Sequence, residues 1–111
     1  QRLEILLSSG VITQSISDYS KTVVKLLINQ KPEADSDRAA MFIMHLAMAG
    51  QRILEGKEEK PLDGQILETV KQEPVYGSAL DFLTYMLNQT DLEFPDTEKD
   101  FLTVHLCNLF M

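Results

Sequence analysis

Four prolines divide the chain into segments that each carry the periodicity of an amphipathic helix. They stand at Pro32, Pro61, Pro74 and Pro95. Proline disfavours helix continuation because it lacks a backbone N–H and its ring clashes with the preceding turn, so helices are expected between these positions. No alternating strand pattern or two-residue hairpin turn stands out in the 111 residues. The pattern predicts an all-α fold, a compact bundle of about five helices.

The first half of the chain predicts a short amphipathic lead followed by two long helices. The lead, 2–8, ends before Gly10, a residue type that commonly stops a helix. The apolar stripe of the next helix recurs at spacings of three and four. It consists of Ile12, Ile16, Tyr19, Val23, Leu26 and Leu27. The segment 36–55 is the second long helix, with Gly56 as its stop. Its candidate N-caps are Asp35, Ser36 and Asp37, and its expected core face is Phe42, Leu46, Ala49 and Ile53.

Three shorter helices are expected in the second half. Asp63 is a candidate cap for a helix that runs through Val70. The next helix covers 76–88. Its inward face is expected to contain Ala79, Phe82, Leu83, Met86 and Leu87. After a loop, Thr97 and Asp100 have capping-box spacing before the final helix. We expect residues 1–111 to form a single domain with a short N-terminal lead over 1–10.

Composition and charge exclude several classes of protein. The formal net charge is −7, and the ten basic residues are scattered among seventeen acidic ones. Direct nucleic-acid binding is therefore not expected, because such proteins cluster Lys and Arg against phosphates. No apolar run approaches the roughly 18 residues of a membrane-spanning helix, so no membrane partner is expected. The lone Cys107 cannot form an internal disulfide, which fits a cytoplasmic protein, and its apolar surroundings predict a buried thiol.

Two histidines are the remaining candidates for chemistry. The sequence has no Gly-rich phosphate loop, C-x-x-C pair, H-E-x-x-H or G-x-S-x-G motif. Arg52 follows His45 by seven residues, about 10 Å along one helix face, and its guanidinium could hold a phosphoryl group there. Glu98 precedes His105 by seven residues and could orient its imidazole, through a water or a neighbouring helix. No metal and no cofactor is expected, because no motif supplies further ligands.

The same spacings also have an ordinary structural explanation. A lone histidine on a helix is most often a partly buried polar residue satisfied by a neighbour. Arg52 near a helix C-terminus and Glu98 near a helix N-terminus both complement the helix dipole. Gly50, inside a predicted helix, costs about 0.5–1 kcal/mol relative to Ala and either admits a close neighbouring helix or is tolerated. The residues alone leave the function open.

Two motifs in order nevertheless resemble a known family. The stretch from His45 to Arg52, HLAMAGQR, resembles the H-[IL]-x-x-A-x-x-R signature of the PTS regulation domain (PRD). The stretch from Glu98 to His105 is similar to that family's second signature, E-x-x-[YF]-[LI]-[TA]-[LV]-H. Between them, 76–79 resembles its Y-x-x-A helix. The order and spacing match along nearly the whole chain.

The resemblance implies a five-helix domain, commonly a homodimer, found in bacterial transcription activators and RNA-binding antiterminators of sugar operons. It implies that His45 and His105 accept phosphoryl groups, with Arg52 and Glu98 as their signature companions. The implied donors are the histidine-containing phosphocarrier and sugar-specific components of the phosphotransferase system. A single copy is expected to act as a stand-alone regulator, or as a segment of a larger one, through a fused or separate partner.

Two other functions remain open from the sequence. One is a protein-interaction domain of the same fold in which phosphorylation is vestigial. The other is a small enzyme or metal protein that uses the two histidines, which the lack of further ligands or an acid/base partner disfavours. Surface exposure of both imidazoles would favour the phosphoryl-accepting regulator, whereas burial of either would favour the interaction domain.

Overall fold

The structure, a computed structural model, describes residues 2–57 and 64–111. Within these ranges the backbone forms six α-helices, the predicted lead and five more. They are α1 (Arg2–Ser8), α2 (Gln14–Gln30), α3 (Ser36–Leu54), α4 (Gly64–Lys71), α5 (Tyr76–Leu87) and α6 (Asp96–Phe110). The all-α prediction is confirmed. Over the part of the chain described, none of the helices is both long and apolar enough to cross a bilayer.

Several predicted helix ends are confirmed by backbone conformation. Gly10 and Gly56, which follow α1 and α3, have φ angles of 76° and 71°. These left-handed conformations suit glycine, which has no Cβ to clash with the backbone. At the start of α3, Asp35 is the N-cap, and its carboxylate accepts a hydrogen bond from the Asp37 N–H at 3.4 Å.

The predicted capping box of the last helix is wrong. Helix α6 begins at Asp96, so Thr97 and Asp100 lie inside it rather than before it. Pro95 occupies the N-cap position in an extended conformation (φ −69°, ψ 161°) and makes no side-chain cap hydrogen bond. Its ring already holds φ near the value that the chain needs to enter a helix. The predicted cap of α4, Asp63, lies outside the described residues.

Helices α3 and α6 lie at the centre of the bundle. Helix α3 contacts α1, α2 and α6, and α6 contacts α3, α4 and α5. The predicted inward faces of α2, α3 and α5 are buried, with Leu26, Ile53 and Leu87 partly buried against the core. Cys107 is buried as predicted, and burial, followed by the charge of Glu73, raises the pKa of its thiol.

Two long-range hydrogen bonds join α2 to α5 and to α3. The Tyr19 hydroxyl donates to the backbone carbonyl of Met86 in α5 at 2.7 Å, and burial raises the pKa of that hydroxyl. The Thr13 backbone N–H, at the N-cap of α2, donates to the Gln51 side-chain oxygen in α3 at 3.0 Å. These contacts satisfy buried or helix-terminal polar groups and so hold α2 against both α3 and α5.

Gly50 of α3 packs closely against the side chain of Ile16 in α2. A Cβ at this position would lie 2.9 Å from Cδ1 of Ile16, whose side chain is 2% exposed. The glycine therefore makes room for a buried side chain of the neighbouring helix, which is the first of the two explanations that the sequence allowed.

We predict that Gly50→Ala destabilises the domain and that Ile16→Val compensates. Alanine gains roughly 1 kcal/mol of helix propensity, but overpacking a core costs about 1–3 kcal/mol. Ile16→Val removes the clashing methyl at a cost of about 1 kcal/mol by itself. The double variant should lose about 1 kcal/mol less than the sum of the single losses, measured by urea unfolding. Gly77→Ala, where a Cβ meets nothing within 4 Å, is the control and should not destabilise. Additive losses would rule out the contact.

Candidate functional site

The two histidines that the sequence singles out meet face to face between the central helices. His45 lies in the middle of α3 and His105 in the second half of α6. Their ring centroids are 4.0 Å apart, and the ring planes differ by 11°, a stacked arrangement. Sequence spacing within either helix does not predict this contact, because it depends on how α3 and α6 pack.

Neither imidazole is buried. His45 is exposed and His105 is half-buried. Burial, and then repulsion from the His45 ring, lowers the pKa of His105 from 6.5 to about 4. The His105 ring is therefore neutral near pH 7 and keeps a nitrogen lone pair available for bonding.

Arg52 and Glu98 pair with each other across the contact between α3 and α6. The Arg52 guanidinium donates through Nε to Oε2 of Glu98 and through a terminal nitrogen to Oε1, both at 2.9 Å. The Glu98 side chain is 1% exposed and the Arg52 side chain 28% exposed. A buried carboxylate needs such a partner, and this planar two-bond geometry is the strongest form that the pair takes.

The sequence did not predict this pairing. Within the described residues no direct hydrogen bond joins Glu98 to His105, and both carboxylate oxygens of Glu98 accept from Arg52. Arg52 lies two turns from His45 as expected, yet its guanidinium is directed to α6 rather than back along α3. The four residues named from helix spacing thus lie together, but the spacing did not predict which of them pair.

All four side chains line one pocket. It has a volume of about 150 Å³, and Ala49, Phe101 and Leu102 complete its wall. That volume is several times the roughly 30 Å³ share of one liquid water, so the pocket has room for a small tetrahedral group. Over residues 2–57 and 64–111 no cluster of three or more His, Cys, Asp or Glu side chains is arranged to hold a metal ion.

Sequence reasoning did not identify Arg38, which lines a pocket together with His105. His105 also lines a second pocket, whose wall includes Arg38. Arg38 precedes His45 by seven residues, as Arg52 follows it by seven. The two-turn spacing that pointed to Arg52 is therefore a signal that could have identified Arg38 as well.

Comparison with known proteins establishes the family. The sequence model of the PRD domain matches residues 21–109. The chain therefore belongs to the PRD domain family, a family of regulatory domains, as its motifs predict. No curated protein and no solved structure matches it.

We predict that His105 titrates near pH 4 and that the domain loses stability as the pH falls toward that value. The unfolded chain binds a proton on His105 near pH 6.5 and the folded chain only near pH 4. The stabilising effect of the neutral ring is thus present above pH 6.5 and lost as the pH drops to about 4. Ring signals in nuclear magnetic resonance (NMR) spectra give the titration, and urea unfolding gives the stability.

Two variants separate the causes of this shift. His45→Gln removes the charge of the neighbouring ring, so the pKa of His105 should rise but stay below 6.5, because burial is the larger cause. His105→Gln should flatten the fall in unfolding free energy between pH 6.5 and 4. A His105 titration near 6.5 in the unaltered chain would contradict this account of the stacked pair.

We also predict that the Arg52–Glu98 pair couples α3 to α6 energetically. Either Arg52→Met or Glu98→Gln alone should cost about 3 kcal/mol, because breaking a buried pair leaves one partner unsatisfied. The combined variant should cost clearly less than the sum of the two, as measured by denaturant unfolding. Lys71→Ala, which removes an exposed pair with Glu68, is the control and should cost no more than about 0.5 kcal/mol. Equal losses in the site and control variants would contradict the prediction.

Proposed function

We propose that this PRD domain is a bacterial, cytoplasmic regulator that accepts phosphoryl groups on His45 and His105 and responds to the phosphotransferase system. It then modulates transcription or antitermination through a fused or separate partner and is not itself an enzyme. The observation that carries the proposal is the pair of solvent-accessible imidazoles stacked at 4.0 Å beside a pocket of suitable size.

The acceptor chemistry needs only a neutral imidazole. Its lone pair attacks the phosphorus of a donor phosphohistidine, a new N–P bond forms, and the donor N–P bond breaks with its electron pair returning to the donor ring. The acceptor ring releases its N–H proton and the donor ring takes one up. The lowered pKa of His105 keeps that ring neutral at the working pH.

The stacked geometry makes each ring a separate acceptor. An N–P bond lies in the plane of its imidazole, and in-line transfer requires the attacking nitrogen to approach along that bond. Two parallel rings at 4.0 Å place each nitrogen above the plane of the other ring. A phosphoryl group therefore does not pass directly between His45 and His105, and the donor must charge each ring itself.

Phosphorylation in this pocket also changes the contact between α3 and α6. A phosphoryl group adds about 1.5–2 negative charges and strong acceptor oxygens. In the pocket shared with Arg52 and Glu98 it would compete with the carboxylate for the guanidinium. Losing that partner leaves Glu98 with an uncompensated buried charge, so phosphorylation is coupled to helix packing.

An alternative function is a PRD-fold interaction domain in which phosphorylation is vestigial. The Arg52–Glu98 pair favours it, because a guanidinium that already makes two hydrogen bonds to Glu98 binds an added anion less readily. The same face of α3 and α6 would then bind a partner or a second copy of the chain without modification.

The test is phosphoryl transfer. The chain is incubated with phosphoenolpyruvate, the general phosphotransferase enzyme and its histidine phosphocarrier, and acid-labile phosphate is mapped by mass spectrometry. We expect label on His45 and His105, less in His45→Gln and His105→Gln, and none in the double variant. The doubly labelled species should be rarer than independent labelling predicts, because the two dianions repel at this distance.

Controls separate the two functions. Lys25→Gln, an exposed change on α2, should leave the label unchanged. A reaction without phosphocarrier should give none, and a known acceptor should be labelled in parallel. Undiminished label in the double histidine variant would refute the acceptor assignment. If neither the phosphocarrier nor sugar-specific components label the unaltered chain while the known acceptor is labelled, the interaction domain is the better explanation.

A further inference from the structure

His105 faces a second pocket that has different electrostatics from the one it shares with His45. This pocket has a volume of about 400 Å³. Its wall includes Arg38, Met41 and Phe42 of α3 and Asn108 and Leu109 of α6. His105 lines both pockets, so a group attached to its ring has two possible surroundings.

Arg38 reaches this pocket from the first turn of α3. One terminal nitrogen of its guanidinium donates to the backbone carbonyl of Asn108 at 3.3 Å. Asn108 follows His105 by three residues on α6, and residues at this spacing are neighbours on a helix surface. The hydrogen bond therefore holds the guanidinium beside the last turns of α6, close to the pocket that His105 lines.

The two arginines near the histidines have different electrostatic partners. The Arg52 guanidinium makes two hydrogen bonds to the buried Glu98 carboxylate, which offsets its charge. Arg38 donates to a neutral carbonyl, and its carboxylate neighbour, Asp35, is 3.9 Å away with both side chains more than half exposed. Such an exposed contact offsets little of the charge. The pocket lined by Arg38 is thus more favourable for an anion on His105 than the pocket shared with His45, since the latter contains the Glu98 carboxylate.

We propose that Arg38 binds the phosphoryl group of phosphorylated His105, on the side of the ring away from Arg52 and Glu98. This inference rests on the proposed function. The planar guanidinium of Arg38 fits phosphoryl oxygens. The Arg38 side chain is exposed and can move from the Asn108 carbonyl to the new acceptor. The two histidines are then distinguished by their cations, Arg38 for His105 and Arg52 for His45.

The experiment uses the whole chain with one acceptor at a time. His45→Gln leaves His105 as acceptor, and His105→Gln leaves His45. Each is combined with Arg38→Gln, with Arg38→Lys, or with the exposed control Lys25→Gln. The donors are the phosphocarrier and, separately, the small molecule phosphoramidate, and phosphorus NMR measures the labelling rate and the titration of the attached phosphoryl group.

We expect Arg38→Gln to slow labelling of His105 by roughly tenfold, because the variant loses one charge-assisted hydrogen bond to the phosphoryl group. Labelling of His45 should change little, and Arg38→Lys should restore part of the His105 rate, because lysine keeps the charge without the planar guanidinium. The phosphoryl group on His105 should also titrate at higher pH in Arg38→Gln, since a nearby cation favours the dianion. A purely structural role for Arg38 would not move that titration.

The other outcomes either overturn the role of Arg38 or separate it from the proposed function. Equal slowing of both acceptors, or no slowing of His105, overturns the role of Arg38. Absence of any label on His105 from phosphoramidate overturns it too. Arg38-dependent labelling by phosphoramidate without labelling by the phosphocarrier or sugar-specific components would support the Arg38 site while rejecting the proposed phosphotransferase function.

Discussion

The contact between α3 and α6 depends on one buried ion pair. Glu98 is 1% exposed, and a carboxylate at such a position is costly unless a cation meets it with good geometry. Arg52 supplies that cation from α3 through two hydrogen bonds of 2.9 Å. Since the pair fixes how one helix lies against the other, it also fixes the placement of His45 over His105. The two imidazoles thus meet partly because of the salt bridge between Arg52 and Glu98.

Much of the fold could be predicted because the information is local. Apolar spacing located the helices, and Gly10, Gly56 and Asp35 mark helix ends through backbone and capping preferences that act within a few residues. The incorrect start of the last helix, at Thr97, arose where two local signals compete. A capping-box spacing favoured a later start, but Pro95 already has the backbone angle of a helix entry, and α6 begins immediately after it.

The site was predictable in composition but not in arrangement. Both histidines, Arg52 and Glu98 were identified by spacing and by resemblance, since each signature lies within one helix. The ion pair and the ring stack join residues 46 and 60 positions apart, so they depend on packing between α3 and α6 that no short motif specifies. Arg38 had the same two-turn spacing as Arg52 but lies outside the signature, and only its place in a shared pocket showed its relation to His105.

The stack of His45 on His105 depends on the register between α3 and α6. Its two rings belong to different helices, and a displacement of α6 along α3 by a single residue's rise, about 1.5 Å, would already reduce the overlap of rings whose centroids are 4.0 Å apart. Any conformer in which the helices have slipped weakens the repulsion from the His45 ring, which contributes to the lowered pKa of His105. The stacked pair is therefore a built-in reporter of interhelical register, readable in solution without any added label.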